Sequence, residues 1–219
     1  MIVSTMKIEE AVKENPEITK IFTDTGIDFC CGGHRILGEV LEEQNIDVDS
    51  YLRLLNQSEK KKVDENWNHA LSMEKDELIP YLVERFHRKE EDLLEKVDGY
   101  LNKILKVHYI SHGEELSSIY QVFLALKGEL SAHFAKEEKI VFPAFLEGDA
   151  QKIHELEDEH EAAGELLKEL EELTNGFVAP DDGCATYRLA FQTLKELVDD
   201  IHIHIFLENS VLFQEEEVA

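Results

Sequence analysis

The stretch HFAKEEKIVF, residues 133–142, returns 71 positions later as HIFLENSVLF, residues 204–213. Both read H-x3-E-x2-[IV]-[VL]-F. On a helix, a His and a Glu four apart share one face, about 6 Å apart along the axis. The segments before them repeat more weakly. His87 is followed by Leu93-Leu94 and His160 by Leu166-Leu167, at an offset of 73. The chain therefore reads as two copies of a helix pair, in which the first helix offers one His and the second offers His-x3-Glu.

That pattern supplies four imidazoles and two carboxylates: His87, His133, Glu137, His160, His204 and Glu208. Shared between two cations, it gives two His to each metal with both Glu bridging. The positions left over would take water, an oxo group or a small ligand. Mixed imidazole and carboxylate ligation with open positions suits iron, with manganese and zinc as weaker fits. The surrounding pattern is apolar, as in Ile153, Leu156, His160, Ala163, Leu167 and Leu170, and in Leu197, Ile201, His204, Glu208 and Val211. Polar groups on such stripes must be paired or coordinated. Ala163 and Gly164 would leave room near the metals. One His-x3-Glu says little in so acidic a chain, and His87 also has Glu91 at i+4. Glu91 lacks the apolar tail of the motif, so it is left out of the ligand set.

Working outward, the fold class is all-α: prolines are few and period-2 alternation is scarce. Four long helices are expected at about 73–107, 113–142, 149–173 and 184–214, with breaks at His108–Gly113, Pro143–Gly148 and 174–183. Short connections make an up-down four-helix bundle. Pro80 either kinks the first helix or marks its start. Ahead of the bundle lies a small helical domain, residues 1–57, then a polar linker, 58–72, and the bundle takes 73–219. In the small domain Asn15-Pro16 starts a helix, Gly26 stops it, and Asp47 or Asp49 caps a later one.

The chain carries 48 acidic against 22 basic side chains, a formal net charge of -26. Such a surface repels phosphate backbones and anionic membranes, so no nucleic acid or membrane partner is expected. No apolar run is long enough to span a bilayer, and the N-terminus does not read as a signal peptide, so the expected location is cytoplasmic.

Three cysteines, two of them adjacent, do not make a disulfide framework. Cys30 and Cys31 precede Gly32-Gly33 and open a helix, whose N–H groups and dipole would favour thiolate. This suggests a reactive pair for redox, iron or NO chemistry, with two buried packing thiols as the alternative. His34, His69, His108, His112 and His154 are expected to be solvated at helix ends or in linkers, and His202 to point to the face opposite His204. Cys184, at the start of the last helix, is expected to be a packing thiol.

The segments GIDFCCGGHRIL, ELSAHFAKEEKIVFPAF, EDEHEAAGELL and HIFLENSVLF, in this order, resemble the iron–sulfur cluster repair di-iron proteins, the ScdA/YtfE-like family, over nearly the whole chain. The resemblance implies an N-terminal Cys-Cys-Gly-Gly domain followed by a hemerythrin-like bundle. It also implies a non-haem di-iron centre, carboxylate- and oxo-bridged, on the same six residues. Glu129 and Glu159 would lie near a polar channel to the surface. Tyr81 stands where some relatives have a second His, and Gln214 where a Pro is common. Hemerythrins themselves use five histidines, which argues against simple O2 storage here.

The implied role is repair of clusters damaged by nitrosative or oxidative stress, by donating iron. Release would be eased by protonation or ligand exchange at the bridging glutamates. Damaged iron–sulfur proteins are then the partners, NO or O2 the small ligands, and a homodimer is compatible. The alternatives are an NO-reducing enzyme, with Glu129 or Glu159 passing protons, and an O2 or NO sensor. Cys30, Cys31, Glu129 and Glu159 are the candidate reactive residues beyond the ligands. The sequence does not decide whether the protein turns over as an enzyme.

Overall fold

The computed structural model describes residues 1–58, 65–149, 151 and 153–214. Residues 59–64 of the expected linker lie outside the described residues, and its remainder carries a helix. The elements are α1 (Ile8–Glu14), α2 (Thr19–Thr25), α3 (Leu37–Glu43), α4 (Val48–Gln57), α5 (Glu65–Ser72), α6 (Lys75–Leu82), α7 (Arg88–Lys136), α8 (Phe142–Leu146), α9 (Ile153–Leu173) and α10 (Ala185–Leu207). A single antiparallel bridge, Lys7 to Ile36, is the only extended pairing among the described residues. No described helix is long and apolar enough to cross a membrane.

The chain divides into two compact units, Met1–Leu78 together with Ile203–Ala219, and Ile79–His202. In the first unit the helix ends follow local chemistry. Asn15 accepts from Glu17 N–H ahead of Pro16, and Asp47 caps α4 by accepting from Ser50 N–H. Gly26 closes α2 at φ 70°, a left-handed conformation that glycine adopts without a Cβ clash. The core gathers Ile8, Ile18, Phe22, Leu37, Leu41 and Leu55, all fully buried. Phe206, from the last turn of α10, stacks on Trp67 at 5.6 Å and meets Phe29 at 6.2 Å.

The second unit is the helical bundle. Its first two rods are the halves of α7, which leaves helical geometry at His108 (φ -104°, ψ 15°) and His112 (φ -134°, ψ 18°). This is where the sequence predicts the break. Leu94, Val97, Leu101 and Ile104 from one half, Ile119, Phe123, Leu126 and Phe134 from the other, Leu156, Leu167 and Leu170 of α9, and Leu194, Leu197 and Ile201 of α10 are buried. Pro80 sits inside α6, which begins at Lys75, so it marks no helix start, and helical geometry changes just after it, at the π-turn Val83–His87. Pro143 does not end its rod, because it falls in the first turn of α8, where a missing N–H costs least, and the rod runs on to Leu146.

Asp98 ties the halves of α7 together, accepting from Tyr120 Oη at 2.7 Å and from Lys127 Nζ at 2.7 Å. Those hydrogen bonds, Lys127 first, hold its carboxyl below the usual carboxylate range. A lowered carboxyl contributes stability that is present above its unfolded-state value and lost as pH falls through the folded one. Asp98→Asn is therefore expected to cost roughly 0.5–1.5 kcal/mol in urea unfolding at neutral pH, with the difference from the parent shrinking as the solution is acidified.

Candidate metal centre

The helices carrying the candidate ligands share an irregularity. Wider π-helical turns occur at Val83–His87, Glu137–Val141 and Glu208–Leu212, and each contains one candidate ligand: His87, Glu137 or Glu208. A π-turn shifts the side chains that follow and is frequent at functional sites. The second and third begin at the Glu of each H-x3-E motif, so the internal repeat extends to the backbone. Nothing in composition announces them.

Within the Ile79–His202 unit the side chains of His87, His133, Glu137 and His160 come together. His87 and Glu137 are fully buried, His160 is 1% exposed and His133 7%. The two oxygens of Glu137 face different rings, with Oε2 3.3 Å from His87 Nε2 and Oε1 3.3 Å from His133 Nε2. His160 Nε2 lies 3.2 Å from His133 Nε2. The donor atoms of His133, Glu137 and His160 are all within 4.8 Å of one another. His87 is held flat against Phe134, ring centroids 4.6 Å apart.

The far side of two of these rings decides their chemistry. His87 Nδ1 lies 2.9 Å from Glu138 Oε1, and His133 Nδ1 lies 2.7 Å from Glu159 Oε2. Arg88 donates to Glu138 and Lys136 to Glu159. Partial burial alone would raise both carboxyls. The hydrogen bonds from His87 and Arg88 at Glu138, and from Lys136 and His133 at Glu159, bring them below the usual range instead. A carboxylate at Nδ1 assigns the ring proton to that nitrogen and turns the Nε2 lone pair inward. Inward lie the oxygens of Glu137, which are acceptors too. Lone pairs facing carboxylate oxygens at 3.3 Å fit a shared cation, and the mixture of imidazole and carboxylate suits a first-row transition metal.

In the other unit His204 and Glu208 lie one turn apart, 2% and 0% exposed, with His204 Nε2 3.2 Å from Glu208 Oε1. The Cys-Cys-Gly-Gly turn packs against this same segment. Asn209 Nδ2 donates to the Cys30 carbonyl at 3.1 Å, and a Cβ on Gly33 would come within 3.3 Å of Ser210 Oγ. The cysteine turn thus abuts the residue after Glu208. Its electrostatics differ from expectation. The N–H groups of Cys30, Cys31 and Gly32 donate to the carboxylate of Asp28, at 3.1, 2.9 and 2.9 Å, so they are spent on a side chain rather than on the thiols. The sulfurs are 3.9 Å apart. The hydrogen bond with Cys31, burial and the Asp28 charge together push the buried Cys30 thiol well up, favouring thiol over thiolate.

Glu129 is exposed on α7, whereas Glu159 is a direct partner of a candidate ligand. Glu91 is an exposed surface partner of Arg88. Two residues escaped the sequence reading: Glu138 at His87 Nδ1, and Glu90, which is fully buried three positions after His87. For Glu138 a weak signal exists, since the position after the motif Glu is polar in both copies of the repeat, as Glu138 and Asn209.

An all-helical bundle with buried His and Glu donors at π-turns belongs to the hemerythrin class of cation-binding proteins. The family model described as the hemerythrin HHE cation binding domain matches residues 78–215, and that of the ScdA N-terminal domain, whose function is described as unknown, matches residues 4–59. The chain is 32% identical over 209 residues to the iron–sulfur cluster repair protein YtfE of Pectobacterium atrosepticum, covering 90% of each chain. It is 30% identical over 214 residues to a probable iron–sulfur cluster repair protein of Haemophilus influenzae, covering 94% of each. It is also 30% identical over 216 residues to ScdA of Staphylococcus epidermidis, covering 94% of this chain and 96% of that one. The chain belongs to this family of two-domain iron–sulfur cluster repair proteins.

Proposed function

We propose that the protein repairs damaged iron–sulfur clusters by supplying iron from a pair of sites held by His87, His133, Glu137, His160, His204 and Glu208. The observation that carries this reading is the buried Glu137, with one oxygen toward His87 Nε2 and the other toward His133 Nε2. The outer nitrogens of those rings are engaged by Glu138 and Glu159. Such a carboxylate is placed to bridge. The matched hemerythrin HHE model spans all six residues, and the repeat gives Glu208 the same motif and the same π-turn as Glu137. The relatives' names supply the repair role.

Two iron ions in these positions would be labile cargo, exchangeable with an iron-deficient cluster. The chain's own residues do the rest. Glu138 and Glu159 orient the imidazoles, Phe134 limits the tilt of His87, and carboxylate exchange at Glu137 and Glu208 would loosen the grip on the cargo. Cys30 and Cys31, in the turn packed beside the Glu208 segment, would take part in the hand-over. Damaged iron–sulfur proteins are the partners of this reading. The test is to incubate iron-loaded protein with a cluster enzyme inactivated by NO, alongside free ferrous iron at the same concentration. Recovery severalfold above the free-iron control is expected. Recovery equal to that control overturns the reading.

A further inference from the structure

At the end of the bundle remote from His87, the kink in α7 meets the start of α10. His108 lies twenty-one residues along α7 from His87, about 30 Å at 1.5 Å per residue. Cys184 was expected to be a packing thiol and His108 and His112 to be solvated. The structure differs on all three. Cys184 is exposed, and both histidines are half-buried. The departures from helical geometry fall at His108 and His112, and the rings they redirect face the residues ahead of α10. His108 Nε2 lies 3.3 Å from Cys184 Sγ. His112 Nε2 lies 3.0 and 3.1 Å from the two oxygens of Asp182. Both rings stand edge-on to Tyr187, at 5.5 and 5.8 Å.

We propose that Cys184 and His108 form a nucleophilic thiolate–imidazolium pair that reduces small neutral hydroperoxides, making Cys184 a site of sulfenic-acid modification. Three observations converge on it. The sulfur sits at the N-terminus of the 23-residue α10, where the backbone N–H groups of Tyr187 and Thr186 point at it. The His108 hydrogen bond, ahead of those N–H groups, brings the thiol down to about 7. The Tyr187 hydroxyl is fully buried and finds no hydrogen-bond partner among the described residues. Burial, then the charges of Glu115 and Asp182, push it up, which keeps it a hydrogen-bond donor.

The surroundings select the oxidant. Asp182 and Glu115 flank the cluster at His112 and disfavour anionic disulfides, which leaves a neutral peroxide as the favoured oxidant. In the step, the Cys184 sulfur attacks the terminal peroxide oxygen. The S–O bond forms as the O–O bond breaks. Sulfur gives up two electrons and the peroxide takes them. The terminal OH stays on sulfur as the sulfenic acid, and the His108 imidazolium gives its proton to the departing oxygen as water or an alcohol. His108 is the titratable side chain in contact with the thiol; His112 and Glu115 of α7, Asp182 of the connection and Tyr187 of α10 are the ionisable groups packed around that pair.

The test uses the full chain. Iodoacetamide labelling of Cys184 is followed by mass spectrometry across pH, and sulfenic acid is trapped after addition of hydrogen peroxide or an organic hydroperoxide. The labelling midpoint is expected at about 7. His108→Gln should raise it by about one pH unit and slow sulfenic-acid formation roughly tenfold at neutral pH. The profile of the unaltered protein decides alone if that variant fails to fold. A parent midpoint in the range of free cysteine, about 8.5, would overturn the proposal. So would a folded His108→Gln protein that matches the parent, or faster reaction with an anionic disulfide than with hydroperoxide.

Discussion

Glu137→Gln is expected to abolish metal-dependent stabilisation of the protein while leaving the metal-free fold nearly unchanged. The two parts have separate causes. A ligand that binds only the folded state adds RT ln(1 + [L]/Kd), which is about 4 kcal/mol when the free metal is at a thousandfold excess over Kd. Glu137 offers one oxygen to each of two imidazole faces, so on the proposed reading its loss would remove a ligand from both halves of the centre at once. An amide keeps the shape, and its N–H₂ can donate to an Nε2 lone pair. The metal-free protein should therefore stay within about 1 kcal/mol of the parent. Anaerobic urea unfolding with and without ferrous iron measures both quantities. A variant that still gains the full metal-dependent stabilisation would remove Glu137 from the centre. A structural ion pair would give the opposite pattern, with a large loss in the absence of metal.

The parts of this centre that were legible in sequence are those carried by periodicity. The H-x3-E repeat places two donors on one helical face whatever the rest of the fold does, and the apolar stripes say that this face is buried. The break in α7 was legible because Gly113 follows a short run that fits no apolar stripe. What sequence did not show depends on atoms brought in from elsewhere. Glu138 follows a candidate ligand directly, and only the packing of one rod on another sends it to His87 Nδ1 rather than to solvent. The Cys-Cys-Gly-Gly turn looked like a thiolate site because its N–H groups were counted as free, when Asp28, two residues upstream of Cys30, takes them. His108 and Cys184 are 76 positions apart, and no local signal links them. The π-turns were silent because one residue of added helical width leaves the hydrophobic pattern almost intact.

The resemblance that suggested Glu129 and Glu159 together treats them as equals, and the structure separates them in a way that makes a sharp experiment. Glu159 accepts from His133 Nδ1 at 2.7 Å and is itself held by Lys136 at 2.8 Å, whereas Glu129 is exposed. A carboxylate behind a metal-bound imidazole fixes the tautomer and makes the ring a better donor, and its loss typically weakens metal binding by about 10–100-fold. Glu159→Gln replaces that carboxylate with a neutral amide carbonyl, so a loss in this range is expected, read by competition with a chromophoric chelator. Glu138→Gln should behave alike, since it stands in the same relation to His87 at 2.9 Å. Glu129→Gln should match the parent. If iron leaves more readily from the Glu159 and Glu138 variants, delivery to a damaged cluster should begin faster and run out sooner, because the same bonds that hold the cargo govern its release. Should Glu159→Gln retain parental affinity while Glu129→Gln loses it, the outer face of His133 would have no part in setting the metal's hold, and the assignment of its ring proton would fall with it.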